Sequence, residues 1–454
     1  MSHPSAPAPA PAAGSPLSAA PTLRGLPLIG MAGHFLRDPF AYVQRLRGRG
    51  PVVVVHIGAY RIVYLLDPEL IGQVLLRDAR HHVKGTFVER SRAVFGLGLV
   101  TSEGELWRRQ RSLMAPAFHP RAVHSFADRM NSTVQAVVGA MRPGPHSVAD
   151  EMNALTLRLA LEMLFGTTVG ADGPAVSRAF TVMSAYFSSA EELLLSTPMS
   201  WPTPGHRRFH RAFADLSRVV DRIIAERRAR GVASGPEADL LDLLLGARDE
   251  QGQPMSDAQL HDEVRTLVLA AHETTAIGLT CTLFLLAQHP EVQDEAQAEL
   301  DALGRPALPT DPLPALDRIF KEGLRLFPPV PIVFREPTED VVLGGYRVPK
   351  GTTLGLAPWA VQRDPALFSD ADQFRPARWT PAWERALHRF AWFPFGGGPR
   401  VCVGAAMAMT EARLVLAALL RRFRVRLTKN SALQLFPAIT LRPTKPVELD
   451  LQLR

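Results

Sequence analysis

The sequence predicts a mainly α-helical chain with a small β portion. Three observations lead there. From about residue 103 to residue 300 the signals are overwhelmingly helical, interrupted by proline-rich turns such as Trp201-Pro202-Thr203-Pro204. Strand-rich runs are confined to 52–57, 62–66 and 341–356. One apolar stretch opens at Ser256 and meets no breaker until His289-Pro290.

Residues 1–22 are mostly Ala, Pro and Ser. Such a segment buries too little apolar surface to order itself, so a disordered tail is expected there. It has no basic start and no unbroken apolar run, which argues against a signal peptide or a membrane span. The runs 52–57 and 62–66 flank Gly58-Ala59-Tyr60-Arg61 and predict a hairpin. Ser256 caps the long helix, with Gln259 placed to complete a capping box. At 1.5 Å per residue this helix spans about 50 Å and must cross the core. A second β region at 341–356 turns at Gly344-Gly345. A last helix follows Cys402 and ends at Arg421-Arg422. With no internal repeat and no clear linker, 23–454 is expected to form one domain.

Composition narrows the function. The 454 residues carry a net charge of +7, supplied chiefly by arginine. The arginines are spread along the chain without a nucleic-acid motif, so a basic face for an acidic protein is the better reading. Two cysteines, Cys281 and Cys402, exclude a disulfide framework, and no CxxC or CxxCH supports a zinc ribbon or a covalently attached haem. Cys281 sits in an apolar helical run and reads as a small buried hydrophobe. The expected location is cytoplasmic.

The chemistry concentrates in Phe395-Gly396-Gly397-Gly398-Pro399-Arg400-Val401-Cys402-Val403-Gly404. It places one thiol after a glycine-rich loop and at the mouth of a helix. A helix N-terminus and nearby cations are expected to draw that thiol toward thiolate. The glycines let a flat cofactor approach closely. Arg400 can pair with an acidic group on its rim, and Phe395 supplies apolar cover over the sulfur. These parts suit an iron–thiolate bond to a haem.

Three further motifs agree. Ala270-Ala271-His272-Glu273-Thr274-Thr275 lies within the long helix; its small residues permit close approach, and an acid followed by a hydroxyl can relay protons. The bland alternative is a hydroxyl bonded to the preceding turn's carbonyl. Glu322 and Arg325 share a helix face before Pro328-Pro329, and Arg378 in Phe374-Arg375-Pro376-Ala377-Arg378-Trp379 can complete a Glu–Arg–Arg cluster. Trp107 and Arg111, four apart on one helical face, can together hold a carboxylate, although an ordinary charged face gives the same pattern.

In order and spacing these motifs resemble the cytochrome P-450 superfamily over nearly the whole chain, from Gly25 onward. The cysteine loop follows Phe-x-x-Gly-x-Arg-x-Cys-x-Gly at Phe395, Gly398, Arg400, Cys402 and Gly404. The run 322–329, the Trp107 motif and Pro116-Ala117-Phe118 look more like the fatty-acid-hydroxylase type than the small camphor-hydroxylase type. The resemblance implies the family fold, haem b with Cys402 as its axial thiolate, and mono-oxygenation with O2 as co-substrate. It implies that Trp107, Arg111, Arg335 and Arg400 contact the haem propionates, and that Glu273 and Thr274 deliver protons during dioxygen activation. Ala271 stands where the family often has glycine, which narrows the oxygen groove.

By the same resemblance the substrate pocket is lined by Phe87, Phe95, Phe187 and Leu267, by Ala270 and Ala271, and by Val330, Ile332, Val333 and Phe436. An apolar terpenoid, fatty acid or steroid-like substrate fits those side chains; His272 faces either the substrate or away. Electrons are expected from NAD(P)H through a separate ferredoxin or flavodoxin and its reductase. Arg108, Arg109, Arg400, Arg413, Arg421 and Arg422 are the expected docking residues. Two other classes compete: an electron-independent peroxygenase or isomerase, against which the Glu273-Thr274 pair argues, and a non-catalytic haem sensor, for which no signalling domain is visible.

Overall fold

The apolar run after Ser256 folds as one helix, Asp257–Gln288, in the computed structural model. Its 32 residues span about 48 Å. The Ser256 hydroxyl accepts the Gln259 N–H at 3.2 Å, so one of the two bonds of the expected capping box is present. The helix is long and apolar enough to cross a bilayer, yet 83% of its apolar window is buried within the protein. It packs on Val148–Phe165 along one side and Pro314–Leu326 on another, while Ala405–Arg422 closes the core around it. The structure describes residues 14–27, 29–58, 60–166, 173–187, 189, 198–233, 238–248, 252–437 and 439–454.

A six-stranded sheet flanks this helical body. Its order is β2 (Thr22–Leu23), β3 (Val52–Ile57), β4 (Tyr60–Leu65), β10 (Thr353–Leu356), β7 (Val333–Pro337) and β5 (His82–Val83). The expected hairpin is β3–β4, whose register pairs Ile57 with Tyr60. Its second strand therefore starts two residues before the predicted 62, and Gly58 turns with φ +55°. Strand β7 is not among the expected strand runs. It lies antiparallel to β10, with Arg335 opposite Leu354, and pairs with β5 at the other edge. That pairing sets Lys84, the residue after β5, on the same side of the molecule as Arg335.

Two expectations need correction. Within the expected tail, residues 14–22 are ordered. β1 (Ser15–Pro16) pairs in parallel with β9 (Tyr346–Val348), β9 pairs with β8 (Val341–Leu343), and Leu17 and Ala20 join the core. An Ala/Pro-rich segment orders here because a sheet edge accepts its backbone and a few apolar side chains find a cluster. Residues 1–13 lie outside the described residues. Second, the helical stretch 103–300 contains β6 (Gly144–Ser147), which adds to β14 (Glu448–Leu453) beside β11 (Phe423–Leu427). A hairpin of β12 (Leu435–Pro437) and β13 (Leu441–Pro443) reaches back to the central helix.

Candidate functional site

The cysteine loop turns on glycines at two places. Gly396 and Gly398 have φ of +70° and +64°, and a Cβ on Gly398 would stand 1.7 Å from the Leu75 carbonyl oxygen. Only glycine lets the loop rest on that carbonyl. The Cys402 N–H then donates to the Phe395 carbonyl at 2.9 Å, and the helix Ala405–Arg422 starts three residues on. Cys402 is surface-accessible yet deep in the protein, because its thiol opens on an internal cavity of about 530 Å3. Burial pushes the thiol above its usual value; the Gly404 N–H and the Arg111 charge pull the other way without prevailing. This corrects the expectation of a thiolate made by helix and arginine alone. A coordinated metal cation is what deprotonates such a thiol.

At one end of the cavity, Lys84, Arg111, Arg335 and Arg400 all reach the lining, with Trp107 among them. Arg400 stacks on the Trp107 ring at 3.7 Å, donates to the Ser102 carbonyl at 3.0 Å and forms an ion pair with Glu103. Arg335 donates to the Phe334 carbonyl at 2.7 Å. Lys84 donates to the carbonyls of Leu99 at 3.0 Å and Ser102 at 3.5 Å. Burial lowers Lys84 well below its ordinary value and holds both Arg335 and Arg400 at about 10. Among the described residues Glu103 opposes Lys84, Arg335 and Arg400, and Glu263 also attracts Lys84, so the four cations outnumber the carboxylates near them. Buried positive charge in such excess is costly unless anions join it. The donor set therefore fits a flat, mostly apolar group that carries two carboxylates at one rim and meets a sulfur ligand at its centre. Haem b has that chemistry. Lys84 and Glu103 were not recognised in the sequence, where neither belongs to a motif.

On the opposite wall the central helix presents Leu267, Ala270, Ala271, Thr274 and Thr275. The Thr274 hydroxyl donates to the Ala270 carbonyl at 2.9 Å while remaining on the lining. Glu273 is elsewhere. Its carboxylate accepts from the Thr440 hydroxyl and is ion-paired with Arg442 of β13, which also donates to the Thr181 carbonyl at 3.0 Å. Consecutive helical residues point about 100° apart, so acid and alcohol do not face one cavity. His272 also turns away. It is buried, donates through Nδ1 to the Val268 carbonyl at 2.7 Å and meets Phe180 edge-on, and burial lowers its pKa.

The rest of the lining is apolar. Phe87, Phe95 and Phe187 take part as expected, with Val330, Ile332 and Val333. Phe436 does not. It packs edge-on against Phe35, which is itself part of the lining. Phe334, at the end of the expected 330–334 stretch, and Tyr60, read only as a hairpin residue, flank Phe87; Phe334 stacks on it at 4.4 Å with the rings 8° apart. The family resemblance also implies lining from the stretch 184–198, of which 188 and 190–197 lie outside the described residues. Cys281 is fully buried and its thiol is pushed past its ordinary range, the state of an inert core residue.

Behind the cysteine loop, Glu322 and Arg325 are fully buried. Arg325 spends all five of its N–H donors. Two go to the Glu322 carboxylate at 2.8 Å each, and the others to the carbonyls of Gln362, Ala371 and Gln373 at 2.8, 2.6 and 2.9 Å. Glu322 accepts in addition from Arg378 at 3.0 Å, the Arg375 N–H at 2.9 Å and the Trp379 indole at 2.8 Å. The predicted Glu–Arg–Arg cluster exists. It fixes the 362–379 stretch that leads into the cysteine loop.

The docking arginines fare less well. Arg400 faces the cavity rather than the exterior. Arg413 pairs with Asp317 at 2.8 Å, and Arg421 and Arg422 donate to carbonyls of neighbouring segments. Arg108 is exposed and paired with Glu105, whereas Arg109 is half-buried and donates to the Pro254 carbonyl at 3.1 Å.

Comparison with known proteins agrees with this geometry. The family model described as Cytochrome P450 (here written P-450) matches residues 20–451. The chain is 36% identical over 426 residues to a cyclooctatin synthase of Streptomyces melanosporofaciens, covering 92% of each chain. It is 35% identical over 410 residues to a pentalenene oxygenase of Streptomyces avermitilis, covering 88% of this chain and 90% of that one. Among solved structures, the cytochrome P-450DA heme domain superposes with a TM-score of 0.83 at 28% identity, over 96% of this chain and 98% of that one. With a thiol in the cavity, a cluster of cations at its rim and this match along nearly its whole length, the chain belongs to the cytochrome P-450 family of haem-thiolate mono-oxygenases.

Proposed function

We propose that the protein inserts one oxygen atom from O2 into an apolar terpenoid hydrocarbon, by hydroxylation or epoxidation. The observation that carries this reading is the lining above the cysteine. It is built from Phe87, Phe95, Phe187, Leu267, Val330 and Ile332 and offers few polar groups to orient a substrate. Relatives at about 35% identity are terpenoid oxygenases, which narrows the apolar class. Shape and desolvation do the recognising in such a pocket. Incubation with a panel of cyclic terpene hydrocarbons, fatty acids and steroids, with electrons supplied, tests the class. Oxygenated terpenoid products are expected; turnover confined to the fatty acids or steroids overturns it.

Haem held by a thiolate receives electron density from sulfur and favours O–O cleavage. The chain's residues do the rest. Cys402 supplies the sulfur, and Lys84, Arg111, Arg335 and Arg400 hold the carboxylates. Thr274 keeps a hydroxyl proton at the wall where oxygen chemistry takes place. Glu273 supports the helix from behind through Arg442 and Thr440. For Thr274→Ala, the expected result is at least about a tenfold fall in product formed per reducing equivalent, with the balance appearing as hydrogen peroxide. Unchanged coupling, measured as cofactor consumed against product, contradicts this role.

Electrons arrive from NAD(P)H through a ferredoxin or flavodoxin and its reductase, on this reading. The exposed Arg108 sits on the helix that also carries Trp107 and Arg111 to the cavity, which gives an acidic carrier a short route in. Association of this kind weakens as salt rises. First-electron transfer from an acidic ferredoxin should slow with ionic strength, and a rate flat from low to high salt excludes an electrostatic docking face.

A further inference from the structure

Three side chains of the central helix that take no part in the chemistry above hold one loop. The Leu97 N–H donates to Asp262 Oδ2 at 2.7 Å, and the Leu99 N–H donates to Glu263 Oε2 at 3.0 Å. The Thr266 hydroxyl donates to the Phe95 carbonyl at 3.2 Å. Gly98 lies flush between them, since a Cβ there would be 2.1 Å from Thr266 Oγ1 and 2.7 Å from the Asp262 carbonyl oxygen. The far edge of the same loop faces the cations at the end of the cavity. There the carbonyls of Leu99 and Ser102 accept from Lys84, and Ser102 also accepts from Arg400 at 3.0 Å. A single stretch of backbone thus has acids behind it and two of the carboxylate-binding cations in front.

Glu263 is the unusual member. It is wholly buried, and its Oε1 has no hydrogen-bond partner among the described residues. A carboxyl in that position is costly if it serves packing alone, because an apolar side chain of the same size would fill the space at lower cost.

We propose that Glu263 is a positioning residue for haem: through the 97–102 backbone its carboxylate holds Lys84 and Arg400 where they meet the haem carboxylates. The charged groups facing it are Asp262 on its own helix, itself paired with Arg265, and Lys84 across the loop. Burial raises Glu263 to about 7, opposed by the Leu99 N–H and Lys84 and reinforced by Asp262. The ionised form is the stronger acceptor and the one that attracts Lys84, so the hold is complete above that value and lost as pH falls through it.

The test uses the haem-loaded protein without substrate, and reads the rate at which haem passes to excess apomyoglobin between about pH 8 and about pH 6. The wild type is expected to lose haem about fivefold faster at the acid end, with a midpoint near neutrality. Glu263→Gln keeps an acceptor oxygen and the side-chain volume but carries no charge; it is expected to lose haem at the faster rate throughout. A wild-type rate that is flat across the range overturns the proposal without reference to any variant. A glutamine variant that keeps the wild-type midpoint overturns it equally. Substrate is absent from both arms, so neither outcome bears on the terpenoid reading.

Discussion

Cys402→Ser is expected to abolish mono-oxygenation, lowering turnover by about a thousandfold or more, while much of the haem stays bound. The two halves of this outcome have separate causes. Serine offers a hydroxyl of far lower acidity and polarisability than a thiol, so the electron donation that favours O–O cleavage is lost. The rim cations Lys84, Arg111, Arg335 and Arg400 are untouched and would still hold the haem carboxylates on the proposed reading, while the apolar wall would still pack the ring. Cys402→His should behave likewise, with a nitrogen ligand in place of sulfur. Product formation within about tenfold of the wild type in either variant contradicts the assignment. The measurement is product per haem, so that partial loading does not masquerade as lost chemistry.

The second large effect is on stability. Arg325→Ala removes a side chain with no exposed surface and five hydrogen bonds, and leaves Glu322 buried with Arg378, Trp379 and one backbone N–H as its remaining partners. Breaking a buried ion pair from one side costs about 3–5 kcal/mol. Whole-protein stabilities are only about 5–15 kcal/mol, so the variant should melt far earlier and yield little haem-loaded protein. Glu322→Ala is expected to be at least as damaging, because two arginines then lose their shared carboxylate. Here the readout is the thermal or denaturant midpoint with haem content measured alongside. A midpoint indistinguishable from wild type would show that the network adds nothing.

What could be read from the sequence was what local spacing determines. The glycine-arginine-cysteine loop, the i, i+3 pair Glu322–Arg325 and the Trp107–Arg111 face all depend on neighbours within a few residues, and the structure brings each where expected. Glu273 was legible as an acid beside an alcohol, but its direction was not. Arg442 and Thr440, far along the chain, claim its carboxylate once the β12–β13 hairpin folds back. Lys84 gave no signal because the β5–β7 pairing, across some 250 residues, is what brings it to Arg335. The order of 14–22 likewise depends on a partner strand at 346–348 that accepts a proline-containing edge. Arg421 and Arg422 read as docking residues by position, yet their donors go to carbonyls of adjacent helices and loops. In each case a distant segment decided the outcome.

The sulfur at position 402 can be observed directly. Purified, haem-loaded protein is reduced and exposed to carbon monoxide, and the Soret region of the spectrum is recorded. A maximum displaced to the long wavelength characteristic of thiolate-bound iron is predicted. A short-wavelength maximum of the nitrogen-ligated kind, at full haem loading, would contradict it.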